Sequence, residues 1–173
     1  MKRSKYTNPV RAAAVSILAV LFVAGGCQAP ANRDRTDTQA RAAVDAVLDQ
    51  LHERAAAADF DGYFALYHPD AVFMGTDRSE YWPLAEFKDY TRARFASGSG
   101  WTYVPTERFI HLRDDVAWFE ERVVHKRYGE TRGTGVLVYE AGRWQLMQYN
   151  LTLPIPNDLF DQVSKDVFNY YRR

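Results

Sequence analysis

The sequence has a single cysteine, Cys27, among its 173 residues. One cysteine excludes an intrachain disulfide and any zinc site built from several thiolates. The chain also lacks an excess of either charge, because 22 Lys and Arg residues balance 22 Asp and Glu residues. A protein that binds nucleic acid through its phosphates is normally basic, so we expect no nucleic-acid partner.

Motifs of several common catalytic centres are missing too. The four histidines do not form HExxH or any other close spacing of metal ligands. No G-x-S-x-G motif of a serine hydrolase occurs, and Gly133 and Gly135 lie in a predicted strand rather than before a helix, where a phosphate-binding loop would lie. We therefore expect no metal ion and no cofactor. The histidines are His52, His68, His111 and His125.

The N-terminal segment is basic at first and then apolar. Residues 1–26 hold four basic residues and no acidic one, and residues 12–23 are apolar apart from one serine. This run is shorter than the roughly 20 residues of a membrane-spanning helix, and the pattern is typical of a secretory signal peptide. The small residues at 24–26, directly before Cys27, resemble the lipobox of bacterial lipoproteins. The resemblance implies that Cys27 is lipidated and becomes the mature N-terminus; the alternative is cleavage nearby, which leaves a free thiol.

These features divide the chain into three parts. A signal peptide would span residues 1–26, a small polar tether residues 27–37, and a folded domain residues 38–173. Removal of the signal takes away four of the 22 basic residues and no acidic one, so the mature chain would carry a net charge of −4. The expected location is the cell envelope, where the lipid would hold the protein on the periplasmic or extracytoplasmic face of a bacterial membrane.

Helical patterns come first in the folded domain. Apolar residues at helical spacing predict a first helix that ends near Ala58 and a second, short helix that ends at His68. Pro69 ends the second helix because a proline disfavours helical geometry in the residue before it. A brief strand is predicted over residues 71–75, and Pro83 suits the first turn of a third helix.

From residue 101 onward the apolar residues alternate with a period of two, which indicates strands. A C-terminal helix capped by Asn157 is predicted to follow them. Helices followed by an antiparallel meander make an α+β domain. A curved sheet wrapped around the N-terminal helices would enclose a conical cavity, and its other face would need a partner, often a second copy of the chain. The predicted strand segments are 101–113, 116–128, 131–140 and 143–153.

Short motifs occur in a particular order along the domain. They include Asp59-Phe60-Asp61-Gly62-Tyr63, Tyr67-His68-Pro69-Asp70-Ala71-Val72-Phe73, Val116-Ala117-Trp118-Phe119-Glu120-Glu121, Gly142-Arg143-Trp144-Gln145 and Gln148-Tyr149-Asn150-Leu151. Together they resemble the nuclear transport factor 2-like superfamily and, within it, the SnoaL-like domains, over about residues 40–158. The resemblance implies a cone-shaped, cystatin-like α+β fold with one deep pocket, usually dimeric. It does not imply one activity, because the superfamily includes ketosteroid isomerase, polyketide cyclases and scytalone dehydratase.

The chain departs from ketosteroid isomerase at the position of that enzyme's general base. The resemblance places the base, an aspartate in that family, at Gly75 of this chain. A glycine cannot take a proton, so the isomerase mechanism does not carry over. Asp77, two residues on, is a candidate catalytic group at the pocket mouth; the alternative is an ordinary turn-forming aspartate.

Glu120 and Glu121 are the other candidates for acid–base chemistry. Side chains alternate along a strand, so one of the two faces inward if the strand is central. A carboxylate buried beside aromatic rings would have a raised pKa and could act as an acid or a base. Alternatively, it forms a cross-strand ion pair with Arg132 or another arginine. Arg132 together with either glutamate could also hold a carboxylate-bearing or polar ligand.

Aromatic residues make up 14% of the chain, enough to line an apolar pocket that also offers hydroxyl and indole donors. We expect the domain to bind a small hydrophobic or aromatic ligand, without assigned catalysis, and to form a homodimer. The alternatives are an isomerase, cyclase or dehydratase that uses a pocket glutamate, and a protein-interaction module. The candidate ligand-binding residues are Tyr63, Tyr67, Trp82, Phe87, Tyr90, Trp101, Trp118 and Arg132.

Overall fold

A computed structural model describes residues 37–172 of the chain. The predicted signal peptide and lipidated Cys27 lie outside the described residues, as does nearly all of the tether. Within residues 37–172, no helix combines the length and the apolar character that crossing a bilayer requires.

Three helices precede most of the sheet, as the sequence predicts. Helix α1 (Asp37–Ala56) buries one stripe of residues at helical spacing, and α2 (Phe60–Phe64) is a single short turn of helix. The side chain of Asp59 caps α2 by accepting a hydrogen bond from the Gly62 amide at 3.0 Å. Helix α3 (Leu84–Ala96) begins directly after Pro83. The buried stripe of α1 consists of Ala40, Val44, Leu48, Leu51 and Ala55.

The prediction for the second helix is wrong in its extent. The helix ends at Phe64, because the residues that follow pair as a strand. Strand β1 (Tyr67–Met74) begins where the predicted helix should end. Tyr67 pairs with Leu146, whose amide donates a hydrogen bond of 2.9 Å to the carbonyl of Leu66. Pro69 favours extended geometry in the residue before it, so the backbone before the proline joins the sheet instead of continuing the helix.

The sheet has six strands in the order β2-β1-β6-β5-β4-β3. The last four strands form the predicted antiparallel meander, while β1 pairs in parallel with β6 and antiparallel with β2. Register shifts in the β3–β4 and β5–β6 pairs mark irregularities that increase local twist and bend a sheet. The remaining strands are β2 (Tyr81–Pro83), β3 (Tyr103–Arg113), β4 (Val116–His125), β5 (Gly129–Glu140) and β6 (Arg143–Thr152).

The two faces of the sheet have different surroundings. Along β4, Phe119 and Glu121 are buried on the inner face, which α1 covers, whereas Trp118 and Glu120 are exposed on the outer face. Alternation along the strand therefore decides which side chains can reach the interior of the cone.

The C-terminal helix does not join the core of the described chain. A 3₁₀ turn (Asn157–Leu159) leads into α4 (Phe160–Tyr170), and no residue of either is buried. The prediction that Asn157 caps this helix is wrong, because the 3₁₀ turn begins at Asn157 and α4 has no side-chain cap. The exposed apolar side chains include Leu159, Phe160, Val167 and Phe168.

Candidate functional site

A half-open cavity of about 620 Å³ lies between α3, the β1–β2 hairpin and the ends of β3, β4 and β6. This volume falls within the range of small-molecule sites, which span roughly 300 to 1,000 Å³. Seven residues of the Phe, Tyr and Trp types line the cavity: Phe73, Trp82, Phe87, Tyr90, Trp101, Tyr103 and Tyr128.

The wall on the α3 side is a stack of nearly parallel rings. The Phe73 and Phe87 centroids are 4.1 Å apart with an interplanar angle of 10°. Trp82 lies almost parallel to Phe87, and its ring centroid is 4.3 Å from that of Tyr90. Stacked rings of this kind form a flat apolar surface, against which a planar hydrophobic molecule can pack.

The cavity narrows sharply toward the base of the cone. A space of about 20 Å³, roughly enough for one water molecule, lies beyond the main cavity and is lined by His52, Tyr63 and Tyr149. Phe73 and Trp101 line both spaces. A ligand of more than a few atoms therefore fits only the outer cavity.

Glu121 lies at this base, and both of its carboxylate oxygens accept hydrogen bonds. Its Oε1 accepts hydrogen bonds from His52 Nε2 at 2.7 Å and from the Tyr149 hydroxyl at 2.9 Å. Its Oε2 accepts one from Arg108 Nε at 2.9 Å, and the side chain of Glu121 is 0% exposed. Arg108 in turn contacts Asp49 through Nη1 at 2.9 Å. The network joins α1 to strands β3, β4 and β6.

The expectation of a raised pKa for an inward glutamate is wrong. Burial does raise the pKa of the Glu121 carboxyl, but hydrogen bonds and charge from His52, together with those from Arg108, outweigh burial and leave the pKa below its ordinary value. Burial also raises the pKa of Tyr149, and the charge of Glu121 adds to this effect, so the Tyr149 hydroxyl keeps its proton and donates. Glu121 is thus a carboxylate held by structural partners, and the ion pair forms with Arg108 instead of Arg132.

Neither of the other two acidic candidates is placed for catalysis in the cone. Glu120 is exposed on the outer face of the sheet. Asp77 accepts hydrogen bonds at Oδ1 from the Ser79 amide (2.8 Å) and hydroxyl (2.6 Å), and at Oδ2 from the Tyr171 hydroxyl (2.7 Å). These bonds, those from Ser79 first, lower the pKa of Asp77 to about 2. It is a turn-forming aspartate, as the alternative interpretation held.

The structure separates the predicted ligand-binding residues into three groups. Four lie in the wall of the main cavity: Trp82, Phe87, Tyr90 and Trp101. Tyr63 lines only the small basal space, and its hydroxyl is 2.8 Å from that of Tyr67 in the core. The prediction that Trp118 and Arg132 line the cone is wrong. Side chains alternate between the two faces of β4 and β5, and these two lie exposed on the outer face.

Sequence reasoning missed the charged and polar residues at the cavity mouth. These are Glu80, Arg94, His125, Arg127 and Tyr128. Arg94 follows Phe87 by seven residues on α3, and that helical spacing could have indicated a shared face. No local signal shows that the β4–β5 turn, which carries Arg127 and Tyr128, reaches the cavity. Among residues 37–172, no group of three or more His, Cys, Asp or Glu side chains is placed to hold a metal ion.

Comparisons with known proteins agree with this fold. Residues 44–156 match the family model of the SnoaL-like domain. No curated protein matches the chain. An NTF2-like protein of unknown function from Pseudomonas putida KT2440 superposes with a TM-score of 0.60 at 14% sequence identity, over 72% of this chain and 93% of that one.

Two further solved structures have the same fold. A protein of unknown function with a cystatin-like fold from Nostoc punctiforme superposes with a TM-score of 0.57 at 16% identity, over 69% of this chain and 93% of that one. A provisionally assigned scytalone dehydratase from Novosphingobium aromaticivorans superposes with a TM-score of 0.57 at 12% identity, over 67% of this chain and 85% of its own. At such identities the similarity establishes the fold alone, and it confirms the predicted α+β class.

Proposed function

The chain belongs to the SnoaL-like domain family, and from the cavity in its fold we propose that it binds a small hydrophobic or aromatic molecule. The observation that carries the proposal is the aromatic-walled cavity of about 620 Å³. Its stacked wall favours a planar apolar ligand, because ring faces contribute contact area and favourable stacking geometry. Its half-open mouth leaves a route by which the ligand enters.

The proposal assigns no acid–base catalysis to the glutamates. The enzyme alternative requires an inward carboxylate that is free to exchange a proton with a ligand. The inward carboxylate, Glu121, is already bonded to three side chains, and the other glutamate, Glu120, is exposed on the outer face. These contacts favour binding over a glutamate-dependent reaction.

Titration with a neutral fluorescent probe tests the binding function. N-phenyl-1-naphthylamine, which brightens in apolar surroundings, should bind saturably at one molecule per chain. Ala93 is exposed and lines the cavity, so the indole of Ala93→Trp should obstruct the space beside the aromatic wall and abolish binding without disturbing the core. Ala43→Trp, on the exposed side of α1, is the matched control and should bind like the parent. Failure to saturate, or equal binding by the Ala93→Trp variant, would remove the basis of the proposal.

The lipobox supports a proposal about location. We propose that Cys27 carries a lipid that anchors the domain in a bacterial cell envelope, with the polar residues after it as a tether. Mass spectrometry of the membrane-bound protein should find acyl groups on Cys27, and Cys27→Ser should release the protein from the membrane fraction. Recovery of the variant in membranes at parental levels would contradict this anchor.

The outer face of the sheet supports a proposal about assembly. Phe109 and Trp118 are each 45% exposed there, and the Trp118 ring stacks on His111 at a centroid distance of 5.4 Å. Beside them lies a depression of about 410 Å³. Aromatic patches of this kind mark protein interfaces. Arg122 pairs with Glu107 at 3.1 Å, and the exposed charges of Glu120 and Arg132 on this face are opposite in sign. Opposite charges of this kind can pair across a symmetric interface, so we propose a homodimer through this face.

A further inference from the structure

The cavity lining has more positively charged side chains than negatively charged ones. Two guanidinium groups, those of Arg94 and Arg127, line the same cavity as one carboxylate, that of Glu80. The imidazole of His125 also lies in the lining. Among the described residues, neither Arg94 nor Arg127 forms an ion pair with a carboxylate of the chain. Within the described part of the chain, the lining therefore carries one more guanidinium than carboxylate, and neither guanidinium is paired with an acidic side chain.

Both arginines are held in place by contacts that leave donors free. Arg94 donates one hydrogen bond from Nη2 to the Gly100 carbonyl at 3.1 Å, and its guanidinium carbon lies 5.4 Å from the centre of the Trp101 ring. The guanidinium carbon of Arg127 lies 5.4 Å from the centre of the Tyr128 ring. A guanidinium has five N–H donors, so each arginine can still form a two-pronged contact with an acidic group.

The carboxylate of Glu80 also lines the cavity, but contacts with its own turn hold it in place. Glu80 Oε2 accepts a hydrogen bond from the Asp77 amide at 3.1 Å. It lies against the backbone of Gly75, where an added Cβ would come within 2.0 Å of it. This packing keeps the Glu80 carboxylate at the β1–β2 turn. Arg94 lies on α3 and Arg127 in the β4–β5 turn, on other elements of the rim.

We propose that the ligand is an organic anion: a flat aromatic molecule that carries one acidic group, such as a carboxylate. Its ring packs on the stack that contains Phe87 and Trp82, and its acidic group binds Arg94 and Arg127 at the mouth. This inference rests on the proposed binding function and adds the charge class of the ligand.

Two probes that share their rings test the inference. N-phenyl-1-naphthylamine is neutral, and 8-anilinonaphthalene-1-sulfonate has the same anilinonaphthalene rings with an added sulfonate. Burial of the rings alone favours the more apolar neutral probe. We expect the parent chain at low ionic strength to bind the sulfonate more tightly than the amine, and added salt to reduce this preference because exposed charges are screened.

Charge variants separate the contributions to binding. Arg94→Gln with Arg127→Gln should weaken the sulfonate roughly tenfold or more, as expected for loss of charge-assisted bonds, and leave the neutral probe unchanged. Arg132→Gln, which removes an exposed arginine from the outer face, is the matched control and should change neither affinity. Glu80→Gln should tighten the sulfonate modestly by removing a like charge. In competition, 1-naphthylacetate should displace the sulfonate probe at lower concentration than 1-naphthaleneethanol does.

The outcomes distinguish the two levels of the proposal. If neither probe binds in a manner that Ala93→Trp abolishes, the binding function fails. If both probes bind in the cavity with affinities that the double arginine variant does not change, or if the alcohol competes as well as the acid, the anion inference is overturned and the binding function stands.

Discussion

His52 and Glu121 are 69 residues apart in the chain, and their Nε2 and Oε1 atoms lie 2.7 Å apart at the base of the cone. This bond ties helix α1 to strand β4. Together with Arg108 and Tyr149 it closes the narrow end of the cavity with a polar network in which both Glu121 oxygens accept hydrogen bonds. The open volume that remains is the aromatic outer cavity.

Loss of the buried carboxylate should destabilise the domain. Glu121→Gln removes one of the three carboxylates that pair with Arg108 and disturbs the bonds from His52 and Tyr149. Breaking a buried ion pair from one side costs about 3 to 5 kcal/mol, and we expect the lower end of this range because the other two carboxylates still pair with Arg108. Urea denaturation followed by circular dichroism should show this loss. Glu120→Gln, the exposed neighbour on the same strand, is the control and should stay within about 0.5 kcal/mol of the parent. Equal stability of the two variants would show that the network contributes nothing.

The same carboxylate predicts a pH dependence of stability. Its pKa in the folded chain is lower than its ordinary value of 4.5, which approximates the unfolded chain. The folded state therefore binds the proton less readily than the unfolded state, so the stabilisation is fully present above about pH 4.5 and is lost as the pH falls through the lower folded pKa. The stability difference between the parent and Glu121→Gln should shrink in urea titrations at successively lower pH. A difference that stays constant from pH 7 to pH 3 would contradict the assignment.

Gly133 should be intolerant of a side chain because of its position under Tyr149. An added Cβ would lie 2.2 Å from the Tyr149 hydroxyl oxygen and 3.1 Å from Glu121 Cγ. Gly133→Ala should therefore cost about 1 to 3 kcal/mol through overpacking. In the Tyr149→Phe background the hydroxyl is gone, and the added cost of Gly133→Ala should be smaller. A double-mutant cycle from thermal or urea unfolding measures this coupling, and strictly additive effects would argue against it.

The proposed dimer predicts that a substitution in the outer face of the sheet halves the mass of the protein in solution. Trp118→Glu places a charge on the outer face of the sheet, and in a symmetric interface that charge meets its own copy or an apolar surface. Light scattering after size exclusion should give a dimer for the parent and a monomer for the variant. Phe168→Glu, on the exposed side of α4, should remain dimeric. Dissociation by Phe168→Glu alone would place the interface on the C-terminal helix.

Elements with a strong periodic pattern were predictable from the sequence. The meander from β3 to β6 follows the alternation of apolar residues, and α1 buries the residues that its spacing indicates. The extent of β1 was not predictable, because Tyr67 pairs in parallel with Leu146 on a distant strand. A local helical pattern has no information about such a partner, and tertiary pairing overrides it.

The candidate site also has features that could be predicted from the sequence and features that could not. Alternation along β4 already required that Glu120 and Glu121 face opposite sides, and the aromatic content indicated an apolar pocket. The state of Glu121 depends on side chains 13, 28 and 69 residues away in sequence. Local periodicity and composition were enough to predict the class of fold, the alternation of side chains between the two faces of each strand, and an abundance of aromatic rings. The hydrogen bonding of the inward carboxylate and the presence of Arg94 and Arg127 in the lining of one cavity became visible only in the folded chain. Charges interact through their distance in space and not through their distance along the chain.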